Sequence, residues 1–111
     1  MPLTEFIPGH IWLMDYPIAL AGCRFNARMS IVRLANGTLM LHSPCDVDDA
    51  TARMISAIGP VSCLVAPGNF HHLYVAAAQR RFPAARTYLC PGVERKAPAL
   101  RFDGILGALA P

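Results

Sequence analysis

Between residues 38 and 90 the chain alternates short runs of β-forming residues with longer segments in which apolar residues recur at helical spacing. This order limits the possible folds more than any other feature of the sequence. The β-rich runs cover residues 38–42, 61–65 and 86–90, and the helical pattern lies between them. Strands that alternate with helices usually pair in parallel through right-handed crossovers. The sequence therefore predicts an α/β fold containing a β-α-β-α-β unit.

A β-hairpin is predicted to overlap the start of this unit. Residues 28–34 alternate well enough for a strand, and residues 38–42 return as its partner. The pair Asn36-Gly37 lies between them and is the pair that a two-residue type I′ turn prefers. The predicted fold is thus a β-hairpin followed by βαβαβ, with the second hairpin strand shared between the two.

Two helices are predicted from their end signals as well as from their periodicity. Ser43 can cap a helix and Pro44 suits its first position, so the first helix is predicted over residues 44–58, before a Gly-Pro stop signal. The second helix is predicted over residues 71–82 and ends at Pro83. Three aspartates near the start of the first helix, Asp46, Asp48 and Asp49, would favour the positive end of its dipole.

The signals are weaker towards both ends of the chain. Residues 10–16 are rich in β-formers and stop at Pro17, so they are predicted as a strand, whereas residues 17–27 look irregular. Beyond the last predicted strand, residues 93–97 allow a single helical turn, and glycines interrupt any regular pattern in residues 102–109. With 111 residues and no linker or repeat, we expect the chain to form a single domain or half-domain, residues 1–111.

The composition is more apolar than that of an average soluble domain. Hydrophobic residues make up 54% of the chain, charged residues 15%, and the mean hydropathy is +0.37. A membrane span needs about 20 nearly uninterrupted apolar residues, and the longest candidate, residues 11–21, contains Asp15 and Pro17. We therefore predict no membrane span. The excess apolar surface is expected in a tight core or a subunit interface.

Location and redox state follow from the N-terminus and the cysteines. Glu5 and Pro8 lie where a secretory signal would need a basic region and an apolar stretch, so we expect a cytoplasmic protein. The four cysteines form no Cys-x-x-Cys pair and are expected to be buried free thiols. A disulfide is the alternative, although a reducing compartment disfavours it.

Nucleic acid is not an expected partner. The formal net charge is only +3, and the arginines are scattered rather than clustered. A solvated surface accounts for such a distribution.

The most polar chemistry of the chain lies in the loop after the second β-rich run, which contains Asn69, His71 and His72. A loop between a strand and a helix is a usual place for a binding site in α/β folds. His42 ends the preceding strand and would approach this loop, so His72, His71 and His42 are candidate metal ligands. Adjacent helical residues point about 100° apart, however, and zinc in a hydrolytic site normally has three protein ligands. Histidines bonded to local backbone or to solvent remain the alternative.

Cys45 offers a second candidate chemistry. It is predicted in the first turn of a helix, where the dipole can lower the pKa of a thiol, and His42 could serve as its base. The neighbouring aspartates would oppose that shift, and no third orienting group is evident.

Four segments of the chain resemble a domain-of-unknown-function branch of the metallo-β-lactamase superfamily. They are Arg-Met-Ser-Ile-Val-Arg-Leu at residues 28–34, Gly-Thr-Leu at 37–39, His-Ser-Pro at 42–44, and the stretch from Val-Ala-Pro to His-His at 65–72. The resemblance covers about residues 7–106 and implies the N-terminal half of the superfamily's αββα sandwich.

The resemblance also suggests how the loop differs from the parent superfamily, in which it reads His-x-His-x-Asp-His and holds one or two zinc or iron ions. By this resemblance, the first histidine of the motif falls on Pro67, the second on Asn69, the aspartate on His71 and the last histidine on His72. Only His72 keeps its residue type. Proline cannot bind a metal, and asparagine is a poor ligand for zinc.

The resemblance further implies an incomplete sandwich, because relatives are about twice as long. Half a sandwich leaves one sheet face uncovered, which a soluble monomer tolerates poorly. We therefore expect a homodimer or a partner chain that completes the sandwich. A fragment of a longer product is the alternative.

The function predicted from these observations is a binding or assembly module that lacks the dinuclear metal site, with Asn69, His71 and His72 as the ligand-binding residues. We expect no enzymatic activity and no cofactor. The alternatives are a metal-dependent hydrolase, with zinc or iron in a site shared between subunits, and a structural subunit of a larger assembly.

Overall fold

A computed structural model of the protein describes residues 3–20, 22–66, 74–91 and 101–106; within the long hairpin, residues 18–20 and 23–26 are described as backbone only. The described residues form one seven-stranded sheet and two helices. The strands are β1 Thr4–Ile7, β2 Ile11–Leu20, β3 Cys23–Arg33, β4 Leu39–His42, β5 Val61–Ala66, β6 Arg86–Leu89 and β7 Gly104–Ile105; the helices are α1 Asp49–Ile58 and α2 Val75–Arg81.

The strands lie in the sheet in chain order. β1 to β4 pair antiparallel, and β4 to β7 pair in parallel. The helices α1 and α2 provide the crossovers from β4 to β5 and from β5 to β6. The prediction of an α/β fold with a hairpin followed by βαβαβ is therefore confirmed.

The β2–β3 hairpin is longer than the sequence indicated. Its ladder runs from Ile11 opposite Val32 to Leu20 opposite Cys23, so the prediction that residues 17–27 are irregular is wrong. Pro17 is tolerated inside β2 because β1 reaches only as far as Leu13 on the other side of the strand. Beyond that point β2 is an edge within the described sheet, where a missing N–H costs no ladder bond.

The turn between β3 and β4 confirms the hairpin but not the turn type. The Gly37 N–H donates to the Leu34 carbonyl at 2.9 Å, and the Leu34 N–H donates to the Thr38 carbonyl at 2.8 Å. Gly37 has φ 84°, whereas Asn36 does not adopt positive φ. This is a three-residue loop built on a type I turn with a left-handed glycine, not a type I′ turn. The Asn36 side chain accepts from the Thr38 N–H at 3.1 Å and thereby supports the loop.

Helix α1 begins five residues later than predicted. Ser43 has φ 58°, and its N–H donates to the Val65 carbonyl at 2.8 Å. It therefore prolongs the hydrogen bonding between β4 and β5 instead of capping a helix. Asp48 is the cap, and its carboxylate accepts from the Thr51 N–H at 2.8 Å. The predicted end at residue 58 is confirmed.

Helix α2 begins at Val75 and ends at Arg81, close to the predicted end. The predicted start at residue 71 lies outside the described residues, as does the helical turn suggested for residues 93–97. Of residues 102–109, those up to 106 are described, and they contribute the two-residue β7 at the sheet edge.

The core lies on one face of the sheet, beneath the helices. Ile55 of α1 and Ala78 of α2 belong to one buried cluster with alternate side chains of the strands, including Trp12, Met14, Met29, Ile31, Leu39, Leu41 and Leu64. The intervening side chains project to the other face, because successive strand residues alternate. Neither of the two described helices is long and apolar enough to span a membrane.

That other face, here named the open face, has no covering element within the described parts of the chain. Its partly buried side chains are Ile11, Leu13, Ser30, Val32, Met40, His42, Cys63, Val65 and Tyr88, and the exposed charged residues Asp15, Arg28 and Arg86 lie on the same face. One row crosses five strands, since Leu13 lies opposite Ser30, Ser30 opposite His42, His42 opposite Val65 and Val65 opposite Tyr88. Most of the partly buried side chains on this face are apolar.

Candidate functional site

The carboxyl ends of the parallel strands β4 and β5 form the edge at which a site was predicted. His42 is the last residue of β4 and pairs in register with Val65, one residue before β5 ends. The chain leaves β5 towards Asn69, His71 and His72, which lie outside the described residues. The structure therefore places His42 beside the strand that leads into the predicted loop.

Of the predicted metal ligands, only His42 can be located. Its Nδ1 lies 3.4 Å from the Ser43 Oγ, and the ring is half-buried on the open face. Within residues 3–20, 22–66, 74–91 and 101–106, no three His, Cys, Asp or Glu side chains come close enough to hold a metal ion. The proposed combination of His42 with His71 and His72 remains a prediction.

Ser43 is the one described non-glycine residue with positive φ, at 58°. A left-handed conformation costs a residue of this type about 1–2 kcal/mol. The surrounding contacts hold it: the Ser43 N–H donates to the Val65 carbonyl, and the Ser43 carbonyl accepts from the Tyr16 hydroxyl at 3.2 Å. Such outliers concentrate at functional sites. The sequence signal Ser43-Pro44 was misleading, because it also suits the start of a helix.

Beyond Ser43 the chain borders a small cavity of about 170 Å³, here named the tyrosine cavity. The described residues that line it are Tyr16, Pro17, Cys45, Asp46 and Tyr74. The rings of Tyr16 and Tyr74 meet edge to face, with centroids 5.7 Å apart and an interplanar angle of 87°. The sequence could not reveal this pair, because 57 intervening residues separate Tyr16 from Tyr74.

The thiol of Cys45 is not set up as a nucleophile. Cys45 is 2% exposed. Burial has the largest effect on its thiol and the nearby Asp46 carboxylate adds to it, so that the pKa is raised to about 12. The thiol is therefore protonated at neutral pH, and the suggested Cys45–His42 pair is not supported. Burial also raises the pKa of Tyr16 to about 12, so its hydroxyl stays protonated and donates to Ser43.

The three aspartates of this region have different surroundings. Asp48 caps α1, and the hydrogen bond from Thr51 lowers the pKa of its carboxyl. Asp49 pairs with Arg81 of α2, and that hydrogen bond lowers the pKa of Asp49. Asp46 is exposed and lines the tyrosine cavity. Among the described residues, no hydrogen bond or ion pair engages its carboxylate.

Residues 8–93 match the protein family described as Domain of unknown function (DUF4336). The chain belongs to this family. A comparison with curated proteins gives no match. Membership of DUF4336 agrees with the resemblance found in the sequence, and the description of the family assigns no activity.

The fold of this DUF4336 chain is similar to that of metallo-β-lactamases. FIM-1 from Pseudomonas aeruginosa, in its mono-zinc form, superposes with a TM-score of 0.67 at 18% identity and covers 95% of this chain and 50% of its own. DIM-1, in a crystal exposed to ceftazidime, has a TM-score of 0.71 at 12% identity, and the match covers 95% of this chain and 51% of DIM-1. The metallo-β-lactamase from Pontibacter korlensis has a TM-score of 0.65 at 14% identity, and the match covers 99% of this chain and 54% of that protein.

These likenesses confirm the metallo-β-lactamase half-fold and, at such low identity, support no shared activity. The chain spans about half the length of the solved structures that it matches.

Proposed function

We propose that this DUF4336 chain is a binding or assembly module that has a metallo-β-lactamase half-fold without the dinuclear hydrolytic centre. Residue type supports the second part of the proposal. By the resemblance, Pro67 and Asn69 occupy the positions of the first two motif histidines, and neither is a useful zinc ligand.

The open face is the observation on which the assembly role rests. It presents apolar side chains on five neighbouring strands, including Leu13, Val32, Met40, Val65 and Tyr88. Contiguous apolar surfaces of this kind mark interaction sites in soluble proteins. The chain also spans only half of the length of its structural neighbours. The proposed occupant of the face is a second copy of this chain, packed sheet against sheet about a two-fold axis.

The proposal is tested by the oligomeric state of purified protein, measured by native mass spectrometry and sedimentation velocity. We expect a dimer for the wild type. Met40→Glu places a charge in the centre of the open face and is expected to give monomers. Met54→Glu is the matched control: Met54 is 50% exposed on α1, away from the open face, so this variant should remain dimeric.

A monomeric wild type, or a Met40→Glu variant that dimerises as tightly as the wild type, would contradict the two-fold arrangement. A partner chain other than a second copy would then have to cover the face, and co-purification at fixed stoichiometry would identify it.

The rival function is a metal-dependent hydrolase whose site is shared between subunits. His42 favours it, because this side chain lies on the open face, where a second copy would bring another His42 nearby. Native mass spectrometry before and after treatment with a strong chelator separates the two functions. The hydrolase would be favoured over the proposed module if the wild-type dimer carried zinc or iron that the chelator removes, and if the His42→Ala or His72→Ala variant no longer bound this metal.

A further inference from the structure

We propose that the tyrosine cavity is a binding site for a small organic cation of the alkylammonium class, held by the rings of Tyr16 and Tyr74 and by the carboxylate of Asp46. This site lies on the helix side of the sheet, since Tyr16 shares the buried face of β2 with Trp12 and Met14. It is therefore separate from the open face and independent of the proposed assembly role.

The size of the cavity suits a ligand of this class. Its volume is about 170 Å³, and an apolar cavity of about 150 Å³ is known to admit a molecule as large as benzene. A trimethylammonium group is of similar size. Larger ligands would have to extend outwards past the exposed residues Pro17 and Asp46.

The aromatic lining supplies attraction for positive charge. A cation near the face of a tyrosine ring is stabilised by the ring quadrupole, and more strongly where water is excluded. Tyr16 is 3% exposed, and its hydroxyl is already bonded to the Ser43 carbonyl. The part of Tyr16 that borders the cavity is therefore a small area of its ring. Tyr74 is only partly buried and supplies the larger aromatic surface, and its edge-to-face contact with Tyr16 holds the two rings at nearly a right angle.

The charges around the cavity favour a cation over an anion. Asp46 lines it, and no lysine, arginine or histidine is among the lining residues that the structure describes. The carboxylates of Asp48 and Asp49 are occupied by the cap and by Arg81, which leaves Asp46 to pair with a ligand. Cys45 contributes an uncharged thiol. An ammonium group beside both a carboxylate and aromatic rings is stabilised by both.

The first test compares two molecules of nearly the same shape, choline and its uncharged carbon analogue 3,3-dimethylbutan-1-ol, by NMR titration of the tyrosine ring signals. Choline is expected to produce saturable shifts at Tyr16 and Tyr74 and to bind about ten-fold more tightly than the alcohol. Equal affinities for the two molecules, or no saturable shift up to about 100 mM choline, would overturn the proposal.

Substitutions test how much Asp46 and Tyr74 each contribute to choline binding. Asp46→Asn is expected to weaken choline binding about five- to ten-fold and to leave binding of the alcohol unchanged. Asp15→Asn is the control, because Asp15 is an exposed carboxylate paired with Arg28 outside the cavity. Tyr74→Phe should retain choline binding and Tyr74→Leu should lose it, with amide spectra compared to verify that each variant is folded. Loss of binding in Asp15→Asn to the same extent as in Asp46→Asn would overturn the assignment.

Discussion

The hydroxyl of Tyr16 donates a hydrogen bond of 3.2 Å to the backbone carbonyl of Ser43 in the protein interior. This bond links β2 to the residue that follows β4, and the two residues are 27 positions apart in the sequence. Ser43 is held in a left-handed conformation, so its carbonyl has a direction that ordinary strand geometry would not give. The tyrosine thereby stabilises the backbone from which both His42 and Cys45 extend.

Tyr16→Phe removes this bond and is expected to lower the free energy of unfolding by about 1 kcal/mol, because a buried carbonyl loses its partner. Urea denaturation measures the change. Tyr88→Phe is the control, since no hydrogen bond of the Tyr88 hydroxyl is found among the described residues. Equal effects of the two substitutions would mean that the Tyr16 bond contributes nothing specific.

Tyr16 is also expected to make the stability of the protein sensitive to alkaline pH. Burial raises the pKa of Tyr16 from 10.0 to about 12, so the folded state holds its proton when the unfolded state has begun to lose it. The stabilising contribution is complete below pH 10 and is lost as pH rises towards 12. Stability curves measured from pH 8 to 12 should therefore fall less steeply for Tyr16→Phe than for the wild type. Parallel curves would contradict the raised pKa.

The cap of α1 predicts a dependence on acid pH. Hydrogen bonds from Thr51 lower the pKa of Asp48, so its contribution to stability is present above the unfolded pKa, about 3.9, and is lost as pH falls through the folded pKa. Asp48→Ala should destabilise the protein at pH 7 and have little effect at pH 2. Asp48→Asn retains a good cap that does not titrate, so it should be nearly neutral at pH 7 and should stabilise the protein relative to the wild type at pH 2. Thermal unfolding at the two pH values measures this; an effect of Asp48→Ala that persists unchanged at pH 2 would contradict it.

The sequence predicted those elements whose signals are local. The Gly59-Pro60 stop sets the end of α1, and the Asn36-Gly37 region turns the chain between β3 and β4. Tertiary contacts decided the features that it missed. β2 continues through Pro17 only because β1 is short. Ser43 lies before α1 and does not cap it, because its N–H donates to the Val65 carbonyl. The tyrosine cavity joins residues distant in sequence, which no periodicity reveals. Of the predicted site, the structure shows His42 beside Val65 of β5, and its approach to the loop with Asn69, His71 and His72 remains a prediction.

Cys45 is predicted to be the slowest of the located cysteines to react. It is buried with a pKa raised to about 12, whereas Cys63 and Cys90 are partly exposed. Alkylation of the native protein at pH 7.5, followed by peptide mass spectrometry, should label Cys90 well before Cys45; Cys63 lies on the open face, where the proposed dimer would shield it as well. Labelling in urea, where all thiols are accessible, is the control. If Cys45 were modified first in the native protein, a thiolate would have to be accessible there, and the structural account of its burial would be wrong.

Close packing at the sheet edge predicts that Gly104 cannot be enlarged without loss. A Cβ at this position would lie 2.9 Å from Cδ1 of the Tyr88 ring, while β7 is attached by only two residue pairs. Asp103 strengthens the attachment, because its carboxylate accepts from the Thr87 N–H at 2.8 Å.

Gly104→Ala is therefore expected to lower the free energy of unfolding by about 1–3 kcal/mol through overpacking. Tyr88→Leu should relieve the contact, so that Gly104→Ala costs much less in the Tyr88→Leu background than in the wild type. A double-mutant cycle by urea denaturation measures this coupling. Additive effects would mean that the Tyr88 ring simply moves aside and that Gly104 is not required for the attachment of β7.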